Sequence, residues 1–175
     1  SPDKRDVLPD GTGRNSKKEC ILPDVMLTSL KRINPTIEEN KIKEIAKTLK
    51  QDFTGTDIVD TNYKLYRQIR NNIKITVRKN GKEDFDFVKL IDFEHPENNT
   101  FTAVSQMWIQ GKVYYRRPDI LIFVNGMPLV FIELKNSYKV KYKRINIVTF
   151  FYGGGTKNSL FFNSITKKFS IQRNI

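Results

Sequence analysis

Two short apolar runs, at 120–124 and 129–134, constrain this chain more than any other feature. Both are rich in β-branched and aromatic residues, and both are too short for a free-standing helix. Asn125-Gly126 lies between them, a pair that tolerates positive φ at both positions and so closes hairpins. The hairpin leaves polar residues at its open end. Asp119 precedes the first run, and Glu133-Leu134-Lys135 finishes the second. A strand alternates its faces, so Glu133 and Lys135 project the same way. Directly opposed residues of an antiparallel pair also share a face. An odd-length turn such as Asn125-Gly126-Met127 sets Asp119 opposite Glu133, whereas a plain two-residue turn sets it opposite Ile132. An odd loop or a bulge is therefore expected here. It would bring the two acids within a cross-strand spacing, ~5 Å between Cβ atoms.

That arrangement has a chemical use. Two carboxylates, with water and phosphate oxygens, form an oxygen-rich site suited to Mg²⁺. Such an ion polarises a phosphodiester. A neighbouring lysine can orient the attacking water and offset negative charge as it builds up. The pattern also has an ordinary reading, because Pro-Asp often opens a strand and Glu-Leu-Lys often closes one. The apolar runs on either side strengthen the chemical reading, since they bury the hairpin and aim its polar groups at one end.

Upstream, the apolar residues recur at helical spacing. Pro23 can open a helix with Met26, Leu27, Leu30 and Ile33 as its stripe, and Asn34-Pro35 ends it. Thr36 followed by Glu39 reads as a capping box for a helix over 37–50, with Ile42, Ile45, Ala46 and Leu49 inward. A third helix is expected over 57–71, burying Ile58, Leu65, Tyr66 and Ile69. The period then changes to two at Ile73, Ile75 and Val77. Asn80-Gly81 makes a hairpin turn, and a return strand runs through Phe85 and Phe87 and on to Phe93. A loop at His95-Pro96 precedes a strand over 101–109. Helices followed by hairpins predict an α+β (mixed α/β) fold, with a central mixed sheet flanked by helices.

The 175 residues suit one domain, with 1–18 as a loose polar lead-in and 19–175 as the folded unit. No run approaches the ~18 apolar residues of a membrane span, and no signal-like leader is visible. Cys20 is the only cysteine and His95 the only histidine. This excludes an intrachain disulfide, a cysteine metal cluster and a multi-histidine zinc site, and fits a reducing cytoplasm. The net charge of +12 is uneven. Residues 136–175 hold eight Lys/Arg and no acid, against 23 basic and 19 acidic residues before them. A basic, acid-free tail points to a polyanion, nucleic acid above all. Trp108, Tyr138, Tyr142, Phe150, Phe151 and Tyr152 read first as core, with base stacking as the second use.

The stretch RRPDILIFVNGMPLVFIELKNS (116–137) resembles the "RRPD–hydrophobic–VNG-P-hydrophobic–ELKN" block of type I restriction enzyme R (HsdR-type) subunits. LIDFEHPENNTF (90–101), LKRINP (30–35) and GRNSKKE (13–19) resemble three further blocks of that family, in the same order. The resemblance covers about residues 13 to 137 and implies an amino-terminal PD-(D/E)xK, restriction-endonuclease-like nuclease domain. It implies a type I site-specific deoxyribonuclease that hydrolyses DNA with one or two Mg²⁺ ions. Asp119 and Glu133 become the metal-binding acids, Lys135 the catalytic lysine and Glu19 an auxiliary acid. Apart from the resemblance, the cations Arg116, Arg117, Lys139, Lys141, Lys143 and Arg144 are candidate DNA contacts by their charge. The implied partners are double-stranded DNA, methyltransferase and specificity subunits, and ATP-driven motor domains in the full-length subunit of a bacterial or archaeal cytoplasm.

The tail departs from that family. Its Gln-xxx-Tyr helix has no counterpart in YKVKYKRINIVTFFYGGG (138–155), where 145–151 reads as a strand instead. GGGTK (153–157) lacks the glycine spacing of a phosphate-binding loop, so this chain is expected neither to bind nor to hydrolyse ATP. The alternative to a nuclease is a module of the same fold that is catalytically incomplete and binds DNA or docks subunits.

Overall fold

A computed structural model describes Leu8 and residues 10–50, 58–110, 115–135 and 144–149. Three helices come first: α1 (Pro23–Ile33), α2 (Glu39–Lys50) and α3 (Ile58–Asn71). The strands follow: β1 (Ile73–Lys79), β2 (Lys82–Val88), β3 (Phe101–Ser105), β4 (Ile109–Gln110), β5 (Tyr115–Arg116), β6 (Ile120–Val124), β7 (Met127–Lys135) and β8 (Arg144–Thr149). The main sheet has the order β3-β6-β7-β8, and β1-β2 and β4-β5 are separate two-stranded ribbons. The fold is α+β as expected. Every pairing among the described strands is antiparallel, so the parallel component of the expected mixed sheet does not appear among them.

α1 forms where its periodicity says it should. Pro23 opens it, Asp24 sits in the first turn, and Lys31 and Arg32 in the last, each favourable to the helix dipole. Met26, Leu30 and Ile33 are buried. Asn34 ends the helix through bonds from its N–H (3.1 Å) and its side-chain amide (2.8 Å) to the Leu30 carbonyl. α2 begins later than expected, at Glu39, so the Thr36–Glu39 capping box does not form. The Glu39 carboxylate instead pairs with Lys31 (2.7 Å) and Lys43 (2.8 Å). In α3, Ile69 is buried while Leu65 packs at the core margin. The side chain of Ile58 lies outside the described residues.

Two strands are shorter than the sequence predicts, for one reason: side chains and distant carbonyls replace the ladder. β2 stops at Val88 because the Lys89 N–H donates to Asn34 Oδ1 (2.8 Å). Leu90 and Ile91 then enter the core as loop residues. The run 101–109 breaks at Gln106, where φ is 51°. The Gln106 N–H turns to the Asp119 carbonyl (3.0 Å).

The polar lead-in is fixed from residue 10. The buried Arg14 guanidinium donates to Asp10 (2.5 Å), Thr12 (2.9 Å) and the carbonyls of Glu19 (3.1 Å) and Trp108 (3.0 Å). Burial pushes the Asp10 carboxyl up, but hydrogen bonds from Thr12 and Arg14 outweigh it and leave the pKa below its ordinary value.

The β6–β7 hairpin is the centre of the molecule. Ile122 and Val124 join Met26, Leu30, Ile42 and Ile69 in the larger core on the helical face. On the opposite face, Leu121 and Phe123 pack with Leu22 and Met107, and Phe131 flanks them. The Asn125-Gly126 turn is seated against the start of α1, where the Leu22 N–H donates to the Gly126 carbonyl (2.9 Å). A Cβ on Gly126 would meet the Leu22 carbonyl at 2.5 Å and the Met26 nitrogen at 2.7 Å, so only glycine fits.

Candidate active site

The register of this hairpin decides the site. Asn125 (φ 49°) and Gly126 (φ 78°) form a two-residue turn, with Val124 opposite Met127 and Phe123 opposite Pro128. The pairing then shifts, and Ile122 stands opposite Val130. Leu129 is the extra residue of a β-bulge. The turn therefore has two residues, not an odd number, and the bulge supplies the extra one. Beyond it, Leu121 faces Phe131 and Ile120 faces Ile132, so the next position sets Asp119 against Glu133. Without the bulge, Asp119 would meet Ile132.

Both acids are half-buried. The Asp119 carboxylate accepts a short bond from the Leu134 N–H (2.5 Å), which fixes it across the hairpin. That bond occupies Oδ2 and leaves Oδ1 and the Glu133 carboxylate without protein partners among the described residues. Alternation places Asp119 and Glu133 on the face of Leu121 and Phe131, opposite the face that packs on the larger core. Lys135 occupies the next same-face position of β7, and its backbone pairs with Arg144 as that of Glu133 does with Asn146. The Lys135 and Arg144 side chains lie outside the described residues, as do Lys139, Lys141 and Lys143 entirely. Of the strand expected over 145–151, residues 145–149 lie in β8, and 150–151 lie outside the described residues.

Glu19 makes local bonds. Its carboxylate accepts from the Asn15 N–H (3.0 Å), and its own N–H donates to the Ser16 carbonyl (3.1 Å). The described residues contain no cluster of three or more His, Cys, Asp and Glu able to hold an ion, so the candidate site is a two-carboxylate one. Its donors fit a hard, oxygen-preferring cation: one oriented carboxylate opposes one unpaired carboxylate, both partly shielded from water.

Arg116 and Arg117 are exposed, next to Asp119. Arg117 stands over the Trp108 ring at 5.1 Å, Lys17 lies 6.0 Å from the same ring, and Tyr115 meets it edge-on at 6.2 Å. This cluster was not foreseen. Nothing in the sequence shows that residues 10–19 lie along β4, which they do through the bond from the Gln110 N–H to the Lys17 carbonyl (2.9 Å).

A second group of polar residues holds the far end of the hairpin. Asn125 is wholly buried. Its N–H donates to the Thr100 carbonyl (2.8 Å), and its side-chain oxygen accepts from the Thr100 N–H (2.8 Å). Its amide donates to the Leu90 carbonyl (2.9 Å) and to Asn99 Oδ1 (2.8 Å). Asn99 Oδ1 also accepts from the Asp92 N–H (2.9 Å). The segments 90–101 and 116–135, separate in sequence, thus form one hydrogen-bonded structure around the turn.

The family model described as "Type I restriction enzyme R protein N terminus" matches residues 2–150, and the chain belongs to that family. Among curated proteins, it is similar to the type I restriction enzyme HindI endonuclease subunit of Haemophilus influenzae. The two are 37% identical over 127 residues, which is 72% of this chain and 12% of that protein. It is also similar to a Methanocaldococcus jannaschii protein provisionally named as the type I restriction enzyme MjaIXP endonuclease subunit. Here identity is 32% over 139 residues, covering 75% of this chain and 13% of that protein. The chain thus spans about an eighth of the length of these relatives. No solved structure matches it. No helix among the described residues is long and apolar enough to cross a membrane.

Proposed function

We propose that this chain is the nuclease part of a type I restriction R subunit and hydrolyses DNA phosphodiester bonds at Asp119, Glu133 and Lys135. The observation that carries the reading is the bulge at Leu129, which turns a register unfit for two acids into one that opposes them. A strand pair selected for stability alone has no need of opposed carboxylates at its open end, since like charges directly opposite each other destabilise a sheet. Asp119 and Glu133 would hold one or two Mg²⁺ ions, with Asp119 oriented by the Leu134 N–H. A cation held there supplies charge neutralisation and Lewis-acid polarisation of the phosphate. Lys135, on the same face by alternation, would orient the attacking water and offset negative charge as it develops. Glu19, whose Oε2 accepts from the Asn15 N–H, would serve as an auxiliary acid through its other carboxylate oxygen.

The rest of the assignment follows from the family. Duplex DNA is the proposed substrate, and the proposed setting is a bacterial or archaeal cytoplasm. Sequence choice would come from a specificity subunit beside a methyltransferase subunit, and ATP-driven translocation from motor domains of the full-length subunit. The test is isothermal titration of Mn²⁺ or Mg²⁺ into the wild-type chain and its Asp119→Ala variant, with plasmid nicking measured on the same samples. Metal uptake that disappears with Asp119 upholds the site. A folded wild-type chain that takes up no metal would leave a DNA-binding or docking module of the same fold.

A further inference from the structure

Trp108 and Arg117 stand on two chain segments that diverge from one hydrogen bond, that from the Gln106 N–H to the Asp119 carbonyl (3.0 Å). Each lies two residues out from that bond, a backbone reach of at most ~7 Å. One strand of duplex DNA carries a phosphate for every ~3.4 Å of axis. A group at this distance from Asp119 is therefore one or two phosphates from the acid pair.

The cluster has the properties of a phosphate holder. Lys17, Arg116 and Arg117 form no ion pair among the described residues. Elsewhere several lysines are paired: Lys31 and Lys43 with Glu39, Lys41 with Glu44, and Lys79 with Asp84 and Asp86. Lys17 and Arg117 are gathered over one indole and left without acids. A guanidinium lying over a ring keeps its in-plane N–H donors directed outward, where they match the two oxygens of a phosphate. The Arg14 guanidinium bonds the Trp108 carbonyl (3.0 Å) and fixes the backbone beneath the indole, while Tyr115 meets the ring edge-on. Trp108 Nε1 is buried and has no hydrogen-bond partner among the described residues. It is therefore closed to a base edge, and the indole takes no part in reading sequence.

We propose that Arg117 and Lys17, ordered over Trp108 and flanked by Arg116, form a clamp for the backbone phosphates of duplex DNA beside the acid pair. The clamp deepens the nuclease reading and rests on it for its place next to the scissile bond. It holds the strand by charge and shape, and Trp108 acts as a post that positions the cations rather than as a base-stacking surface.

The experiment is fluorescence anisotropy of a short labelled duplex of arbitrary sequence, titrated with the chain in EDTA at several salt concentrations. Arg117→Ala weakens binding by about tenfold and lowers the slope of log affinity against log salt by about 1. Lys17→Ala acts in the same direction with a smaller loss. Trp108→Leu keeps both charges and weakens binding several-fold, whereas Trp108→Phe keeps a ring and binds almost as the wild type does. Lys47→Ala, an exposed cation on α2, is the control for lost charge anywhere. The clamp is overturned if Arg117→Ala loses no more than Lys47→Ala. The post is overturned if Trp108→Phe loses as much as Trp108→Leu. Should Trp108→Leu fail to fold, Arg117→Ala and Trp108→Phe still decide. Working in EDTA separates this from the metal site. Clamp losses without Asp119-dependent Mn²⁺ uptake refute the nuclease reading alone, and Mn²⁺ uptake with silent clamp variants refutes the clamp alone.

Discussion

The chain closes two hairpins with the same dipeptide, and the two have opposite fates. Asn80-Gly81 joins β1 and β2 with φ of 54° and 77°, and Asn125-Gly126 joins β6 and β7 with 49° and 78°. The first turn is exposed, and a Cβ on Gly81 would meet nothing within 4 Å. Its strands pair in unbroken register from Ile73–Val88 to Lys79–Lys82, and Phe85 and Phe87 remain more than half exposed. The second turn is wholly enclosed. Its asparagine holds two other segments, its glycine touches α1, and its register shifts at Leu129. Identical turn chemistry thus makes the exposed tip of a ribbon anchored only at its base in one place and an enclosed hairpin that carries the candidate site in the other. The turn sequence fixes only the backbone dihedrals, and everything around the turn fixes what it holds in place.

The comparison can be tested hard at the glycines. Gly81→Ala carries only the strain of positive φ, about 1 kcal/mol. Gly126→Ala adds a collision with the backbone of Leu22 and Met26 and should cost about 3 kcal/mol or more. Denaturant midpoints measure both, and equal losses would erase the distinction. At the asparagines, Asn125→Ala strands the Leu90 carbonyl and the Thr100 N–H and removes one of the two bonds to Asn99 Oδ1, at about 3 kcal/mol, while Asn80→Ala should stay below about 1 kcal/mol.

The open end of the same hairpin should respond in the opposite way. Asp119→Asn removes a charge from a half-buried site and should shift stability by about 1 kcal/mol or less, yet abolish metal uptake in a calorimetric titration. A loss of stability as large as that of Asn125→Ala would mean that the acid is structural. The smallest effect lies outside the hairpins. Hydrogen bonds from Lys31 and then Lys43 hold the Glu39 carboxyl down to about 2 from 4.5. A depressed carboxyl pKa stabilises the fold above 4.5 and loses that contribution as pH falls from 4.5 towards 2. Glu39→Gln should therefore flatten the stability profile across that window, and by little, because the site is exposed.

Much of the fold was legible because local rules governed it. The stripe of α1, the two Asn-Gly turns and the alternation of β1 need no distant partner. The expectations that failed all involved distant groups. Glu39 left its capping role for Lys31. Lys89 left the β2 ladder for Asn34, and Gln106 left its strand for Asp119. The acids at 119 and 133 were legible from spacing once a bulge was allowed for, and the sequence could not say whether loop or bulge would supply the extra residue.

By itself, then, the sequence determined the types of the elements, the turn dihedrals and the identities of the opposed acids, since each depends on neighbours a few residues away. The tertiary structure decided that Leu129 would be the bulge and that Asn125 would bind residues 90–100. It also brought residues 10–19 to Trp108 and set Lys17 beside Arg117. Those outcomes depend on which buried donors and acceptors find partners across the fold, a condition that no local stretch of chain can satisfy alone.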